Sequence, residues 1–315
     1  MKWIVRTAVV VLWGVSLVLM FGTGALVGKY APHLVEWPMR KAVNVINLFT
    51  GGYKPCGGAE ALECGYRDTT EREEVNCVDY GSDRTAILMT FGQSNSANAG
   101  RDRYLPSTDV ANFNIFDGRC YRAEDPLLGP DAQGGSVWGV LGDKLIMRGD
   151  YDKVLVIPFG IGGSAISQWQ EGAYLHPILT TAAQAVTQAG ITPTHVLWHQ
   201  GESDAGKGTT TEDYTLMFKA LLDNLREYGI DAPVYPAVAT FCKIADFDPG
   251  PAYEAGRSSV RTAQLGLAQL AGVRPGPDTD TIQGRAYRHD NCHFSAKGMQ
   301  AHAELWYQAL TASPP

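Results

Sequence analysis

Residues 85–95, TAILMTFGQSN, constrain the fold of this chain more than any other stretch. β-Branched and large apolar residues running up to a Gly read as a strand buried on both faces, the kind that fills a parallel sheet. In open α/β sheets, ligands bind beyond the carboxyl ends of the strands. Ser94 stands just past such an end, behind Gly92, which frees the backbone for a sharp turn. A nucleophile would sit there. A lone Gly-x-Ser is more often an ordinary polar turn, so its weight depends on what the rest of the chain supplies.

From Asp83 onward strand and helix patterns alternate. Apolar strand candidates are 85–91, 153–159, 195–199 and 234–241, and helical patterns run over 137–148, 176–189, 212–228, 258–271 and 296–310. Thr211 or Glu212 opens one of these helices, and Gly190 and Gly229 each follow one. The alternation predicts an α/β fold: a mostly parallel sheet, helices on both faces, right-handed crossovers. A chain of 315 residues is long enough to bury a full core in one such domain.

Charge and cysteine usage narrow the setting. Lys and Arg number 26 against 33 Asp and Glu, a net charge of −7 with no basic run beyond the first residues, which argues against nucleic acid as a partner. The six Cys, at 56, 64, 77, 120, 242 and 292, form no C-x-x-C pair and no zinc-finger spacing, so no structural metal is expected. Their even number behind a hydrophobic leader suggests disulfides in an oxidising compartment. Local spacing and the expected neighbourhood of strand ends favour Cys56–Cys64, Cys77–Cys120 and Cys242–Cys292, with several free buried thiols as the alternative. Residues 7–27 carry no charge, about the roughly 20 residues that a helix needs to span a bilayer. The run is longer than a usual signal-peptide core, and no A-x-A site follows it. Residues 1–28 therefore read as an uncleaved signal anchor with the rest of the chain exported, a cleaved signal peptide being the alternative. Lys29, Arg40 and Lys41 soon after the span weaken the charge bias, so orientation rests partly on the cysteines. Residues 29–82 read as a tether with an irregular Cys-bearing segment, and 83–315 as the folded domain.

Three later stretches carry chemistry. Residues 159–169, FGIGGSAISQW, follow the second strand, and their glycines leave backbone N–H groups free to face a bound oxygen. They match neither a dinucleotide fingerprint nor a phosphate loop. Residues 196–204, VLWHQGESD, end the third strand and offer Gln200, whose carboxamide could donate to a developing oxyanion. Gln200 and Glu202 could equally tie loops together. Residues 290–294, DNCHF, precede the last helix. There Asp290 could accept from one ring nitrogen of His293 while the other faces a Ser, making His293 a general base of fixed tautomer. His289 and His199 are rival bases. Trp138, Trp169 and Tyr174 could stack on sugar faces or belong to the core.

Taken together and in this order, GQSN around Ser94, GGS at 162–164, WHQGESD at 198–204 and DNCHF at 290–294 resemble the SGNH hydrolases. The likeness covers about residues 84–311 and is greatest to the sialate O-acetylesterase-like branch, which includes bacterial acetylxylan esterases. It implies a three-layer α/β/α sandwich of flavodoxin-like type. By position it implies Ser94 as nucleophile, His293 as base and Asp290 as the group that orients it. The implied oxyanion hole is the N–H of Ser94, the N–H of Gly163 and the side-chain amide of Gln200. The wider superfamily has Asn at that third place, a departure the branch shares. Asn95, Gly162 and Glu202 would support the loops, and residues 125–128 with Trp138 resemble the segment flanking the cleft. The activity implied is hydrolysis of acetyl esters on a glycan, without metal or organic cofactor; the leader and the cysteines read above would anchor the enzyme in the membrane with its domain periplasmic or extracytoplasmic. Two rivals stay open: an envelope-polysaccharide O-acetyltransferase using the same triad, and a non-catalytic glycan-binding scaffold on the same fold.

Overall fold

The computed structural model describes residues 60–243 and 250–312. The anchor expected over 1–28, the tether as far as residue 59 and Cys56 lie outside the described residues. Among the described residues no helix is long and apolar enough to cross a membrane.

The described strands are β1 (Glu74–Val75), β2 (Thr85–Gly92), β3 (Val110–Asn114), β4 (Arg119–Arg122), β5 (Lys153–Pro158), β6 (His195–His199) and β7 (Val234–Pro236). They form one seven-stranded sheet in the order β1-β4-β3-β5-β2-β6-β7. Strands β3, β5, β2, β6 and β7 pair in parallel, while at one edge β4 pairs antiparallel with β3 and β1 antiparallel with β4. The helices are α1 (Val137–Met147), α2 (His176–Gln188), α3 (Glu202–Lys207), α4 (Thr211–Glu227), α5 (Gly250–Gly266) and α6 (Ala296–Thr311).

Period-two alternation explains why helices are needed on both faces. Along β2, Ile87, Met89 and Phe91 enter one core with Leu155, Ile157 and Trp198, against Ile178 and Leu179 of α2, Phe218 and Leu221 of α4 and Val260 of α5. Ala86 and Leu88 enter the other with Val154, Val156 and Leu197, against Leu141 and Leu145 of α1 and Ala303 and Trp306 of α6. Every residue of β2 is buried, and each large apolar side chain there contributes about 1.5–3 kcal/mol by leaving water. The result is the three-layer α/β/α arrangement with a mostly parallel sheet.

Differences from the expectation have local reasons. Strands β3 and β4 escape an apolar-run reading because β3 carries Asn112 and Asn114 and β4 has only four residues, RCYR. Asn112 is tolerated because its amide bonds both ways with Leu128, donating to the carbonyl at 3.1 Å and accepting from the N–H at 2.6 Å. Strand β7 spans Val234–Pro236 rather than running to 241; beyond it the Ala237 N–H still donates to the Trp198 carbonyl at 2.8 Å and Val238 makes only an isolated bridge with Asp278. Helix α5 begins at Gly250 instead of 258, and α3 is an additional short helix. Residues 60–82 add more than a tether. They contribute β1 to the sheet edge, the disulfide Cys77–Cys120 ties them to β4, and Tyr80 donates to Asp109 at 2.6 Å. Cys242–Cys292 is also formed. The third expected pair involves Cys56, outside the described residues.

Candidate active site

The site lies where the direction of sheet building reverses. From β2 the chain moves to one side to make β3 and β5, then crosses to the other for β6 and β7, which opens a crevice at the carboxyl ends of β5, β2 and β6. Gly92 makes the exit from β2 possible. Its φ is +134°, and a Cβ there would lie 2.1 Å from the carbonyl oxygen of His199 on the neighbouring strand. The Gln93 N–H then donates to that same carbonyl at 3.0 Å, and residues 94–96 form a single 3₁₀ turn. This turn holds Ser94 at the mouth of the crevice, 8% exposed.

The turn before α6 supplies the partners. His293 Nε2 lies 2.9 Å from Ser94 Oγ, and His293 Nδ1 lies 2.6 Å from Asp290 Oδ2. Asp290 Oδ1 accepts from the N–H groups of Cys292 (2.9 Å) and His293 (2.6 Å), and Asn291, which separates Asp290 from Cys292, has φ +66°. Burial pushes the Asp290 carboxyl up, but the hydrogen bonds from the His293 ring and N–H prevail and hold it well below the usual carboxylate range. The turn is pinned from three sides. Arg288, 1% exposed, donates to the carbonyls of Ile282, Thr279 and Cys292; Asn95 Nδ2 donates to the Cys292 carbonyl at 3.3 Å; and the Cys242–Cys292 disulfide ties it to the segment after β7.

Asn95 Nδ2 also donates to Glu202 Oε1 at 2.9 Å, so Asn95 and Glu202 link the β2, β6 and α6 loops. Burial drives the Glu202 carboxyl up to about 7, against the Asn95 hydrogen bond. Neither rival base meets Ser94. His199 is fully buried with Nε2 on Thr279 Oγ1 at 3.1 Å, and burial lowers it to about 3. The His289 ring stands 6.2 Å from that of His293 and makes no bond to Ser94. Among the described residues, His289, Asp290 and His293 are also the one group with ligand atoms close enough to share a metal ion. Both His293 nitrogens are already engaged, however, by Asp290 and Ser94.

Across the crevice, Asp131 accepts from the Gly162 N–H with both oxygens, at 2.9 and 3.0 Å, and Gly163 follows at φ +67°, a conformation that favours glycine. The N–H groups of Gly163 and Ser94 donate to no group among the described residues. Gln200 departs from the expectation. Its side chain is 0% exposed, and Nε2 lies 2.5 Å from Asp204 Oδ2, 3.0 Å from the Ser164 carbonyl and 3.2 Å from Gln93 Oε1. Its Oε1 accepts from Tyr214 Oη at 3.0 Å. An amide has only two hydrogens to give, and these acceptors occupy both, so Gln200 ties β6, α3 and α4 together beneath the site instead of facing an oxyanion. Trp138 and Trp169 are core residues, 0% exposed, whose indole N–H groups steady the site by donating to the Ser96 carbonyl at 2.8 Å and Ser164 Oγ at 3.1 Å. Half-buried Tyr174 packs against the same core as Trp169. Asp131 and Arg288 had no local sequence signal, because each acts on groups remote in the chain, and Asp204 lies inside the WHQGESD stretch but its role depends on contact with Ile166 as well as Gln200.

Residues 84–311 match the family described as carbohydrate esterase, sialic acid-specific acetylesterase. The chain belongs to this family. The match coincides with the region over which the motifs resemble the SGNH hydrolases. A probable carbohydrate esterase of Arabidopsis thaliana is 28% identical over 234 residues, 67% of this chain and 84% of the relative. A solved structure from Arabidopsis thaliana shares the fold at a TM-score of 0.55 and 20% identity, covering 72% of this chain and 97% of that one. An acetyl xylan esterase from Geobacillus stearothermophilus gives a TM-score of 0.43 at 14% identity over 73% of this chain and 94% of that one.

Proposed function

We propose that the protein is a carbohydrate O-acetylesterase that works through an acyl-enzyme on Ser94. The observation that carries this reading is the continuous chain Asp290–His293–Ser94, with contacts of 2.6 and 2.9 Å, at a strand end beside two unengaged N–H groups. His293 Nε2 takes the proton of Ser94 Oγ as that oxygen bonds to the acetyl carbonyl carbon. Asp290 keeps the proton of Nδ1 directed toward itself and stabilises the imidazolium. The N–H groups of Ser94 and Gly163 receive the oxyanion. Collapse breaks the bond to the sugar oxygen, which leaves with the proton from His293. Water then repeats the sequence and releases acetate, restoring Ser94. The domain would work outside the cytoplasm, held by the apolar stretch 7–27; the two disulfides Cys77–Cys120 and Cys242–Cys292 support an oxidising compartment.

The test is acetate release from an aryl acetate and from a panel of acetylated glycans, comparing the protein with Ser94→Ala and His293→Ala. Turnover that falls about a thousandfold or more in each variant supports the reading. Turnover that survives in Ser94→Ala removes the site assignment. Detergent dependence of extraction, and accessibility of the domain to protease added outside spheroplasts, test the anchor and its orientation.

A further inference from the structure

The turn that delivers His293 closes on itself. The His289 N–H donates to the His293 carbonyl at 3.0 Å, the Asn291 N–H donates to the Arg288 carbonyl at 3.1 Å, and Arg288 pairs with Phe294 as an antiparallel bridge. This brings His289, Asp290 and His293 together, each with a ligand atom within 4.8 Å of the others. The two imidazole rings stand 6.2 Å apart, inclined by 31°. Two imidazoles on one tetrahedral zinc, with Zn–N bonds of about 2.0–2.1 Å, have centroids roughly 5 Å apart, so closure needs a shift of about an ångström. Asp290 is held ionised, the form that binds a cation. His289 has no part in the acyl transfer, and its Nε2 is shielded from water with no hydrogen-bond partner among the described residues. A buried polar atom left in that state carries a cost that a bound ion would relieve.

We propose that His289, Asp290 and His293 form an inhibitory site for a divalent transition metal, zinc above all, in which the ion takes the general base away from Ser94. Imidazole nitrogen with carboxylate oxygen suits zinc or copper rather than magnesium or calcium, and three protein ligands leave a fourth position to water. Cys292 Sγ, 3.9 Å from His293 Nε2, is committed to its disulfide and is not a ligand. The inhibition follows from what a neutral imidazole has to give, one N–H and one lone pair. Catalysis needs the N–H on Nδ1, toward Asp290, and the lone pair on Nε2, toward Ser94. An ion on Nε2 occupies that lone pair. An ion on Nδ1 moves the proton to Nε2, which then points an N–H at Ser94 Oγ. In both cases Ser94 keeps its proton. The ion acts as a reversible inhibitor, not a cofactor. Its effect on turnover rests on the esterase reading; its binding does not.

The discriminating variant is His289→Phe in the full chain, which keeps a ring in the turn and removes a ligand that lies outside the triad. Zinc chloride is titrated against turnover of an aryl acetate and, separately, against a zinc-chelating dye. The native protein is expected to bind one zinc and to lose turnover at least tenfold with the same midpoint, and EDTA to restore it. Without zinc, His289→Phe should keep kcat within about twofold, and either readout should need about tenfold more zinc or beyond. Equal midpoints in the two proteins, or a native protein that takes no zinc from the dye, overturn the proposal. Should the variant fail to fold, zinc anomalous scattering from crystals of the native protein decides. An ion within about 2.0–2.2 Å of His289, Asp290 and His293 is the expected result, and an ion on other residues overturns it. Absence of ester turnover by a native protein that still binds zinc through His289 would strike the esterase reading and leave the metal site standing.

Discussion

At the scale of single residues, two carboxyl groups of the site are pushed in opposite directions by their surroundings. Asp290 is held ionised by His293 and two backbone N–H groups, whereas Glu202 is fully enclosed with one donor, Asn95, and its Oε2 has no partner. Asp290→Asn leaves an oxygen for the backbone N–H groups but presents an amide to the His293 ring and so disturbs its tautomer. A fall in kcat of about 10³–10⁴ is expected with the melting temperature nearly unchanged, read from steady-state kinetics beside a thermal melt. Glu202 carries a pH signature. Its folded pKa is raised from 4.5 to about 7, so the folded state keeps a proton that the unfolded chain gives up in that window. Its contribution to stability is largest below 4.5 and is lost as pH rises toward 7, by up to about 1.4 kcal/mol per pH unit. Glu202→Gln keeps an acceptor for Asn95 and removes this dependence. Denaturant melts at pH 5 and pH 8 should show the variant gaining on the native protein at the higher pH. A difference that stays constant would show Glu202 ionised throughout. Buried His199, lowered to about 3, acts in the other direction, its contribution being lost as pH falls below 6.5.

At the scale of elements, the crevice depends on how closely β2 and β6 approach at their ends. Gly92 sits against the His199 carbonyl, and the next N–H in the chain bonds to that same carbonyl. Gly92→Ala combines a clash of backbone with Cβ and a positive φ, two costs that cannot be relieved without parting the strands. A loss of at least about 3 kcal/mol, or failure to fold, is expected, measured by urea unfolding. Substitution at Gly118, also at positive φ (+72°) but with nothing within 4 Å of a Cβ, should cost only about 1 kcal/mol and serves as the control.

At the scale of the molecule, the two disulfides have different tasks. Cys77–Cys120 closes 43 residues at the sheet edge, whereas Cys242–Cys292 closes 50 and ends inside the catalytic turn, between Asp290 and His293. Chain entropy alone assigns each a contribution of roughly 4 kcal/mol. Cys242→Ser should therefore lower stability and kcat together, while Cys77→Ser lowers stability with kcat retained under conditions where both proteins remain folded. Equal kcat losses in the two variants would remove the link between the second disulfide and the turn.

The sequence by itself determined the strands read at 85–91, 153–159 and 195–199 to within a residue, most of the helix spans and the residues that meet as Ser94, His293 and Asp290. Those features are written in local pattern: apolar runs, helical period, a Gly after each strand, and Asp and His three apart on one turn. Strands β3 and β4 were not legible, because Asn112 is acceptable in a buried strand only once the Leu128 backbone is there to satisfy it. The same reason decides Gln200. By type it could donate to an oxyanion, but its amide is taken by Asp204, Ser164 and Tyr214, residues brought around it only when β5, β6 and α4 assemble. A side chain's type limits the bonds it can make, and only the packed neighbours decide which of those bonds are already taken.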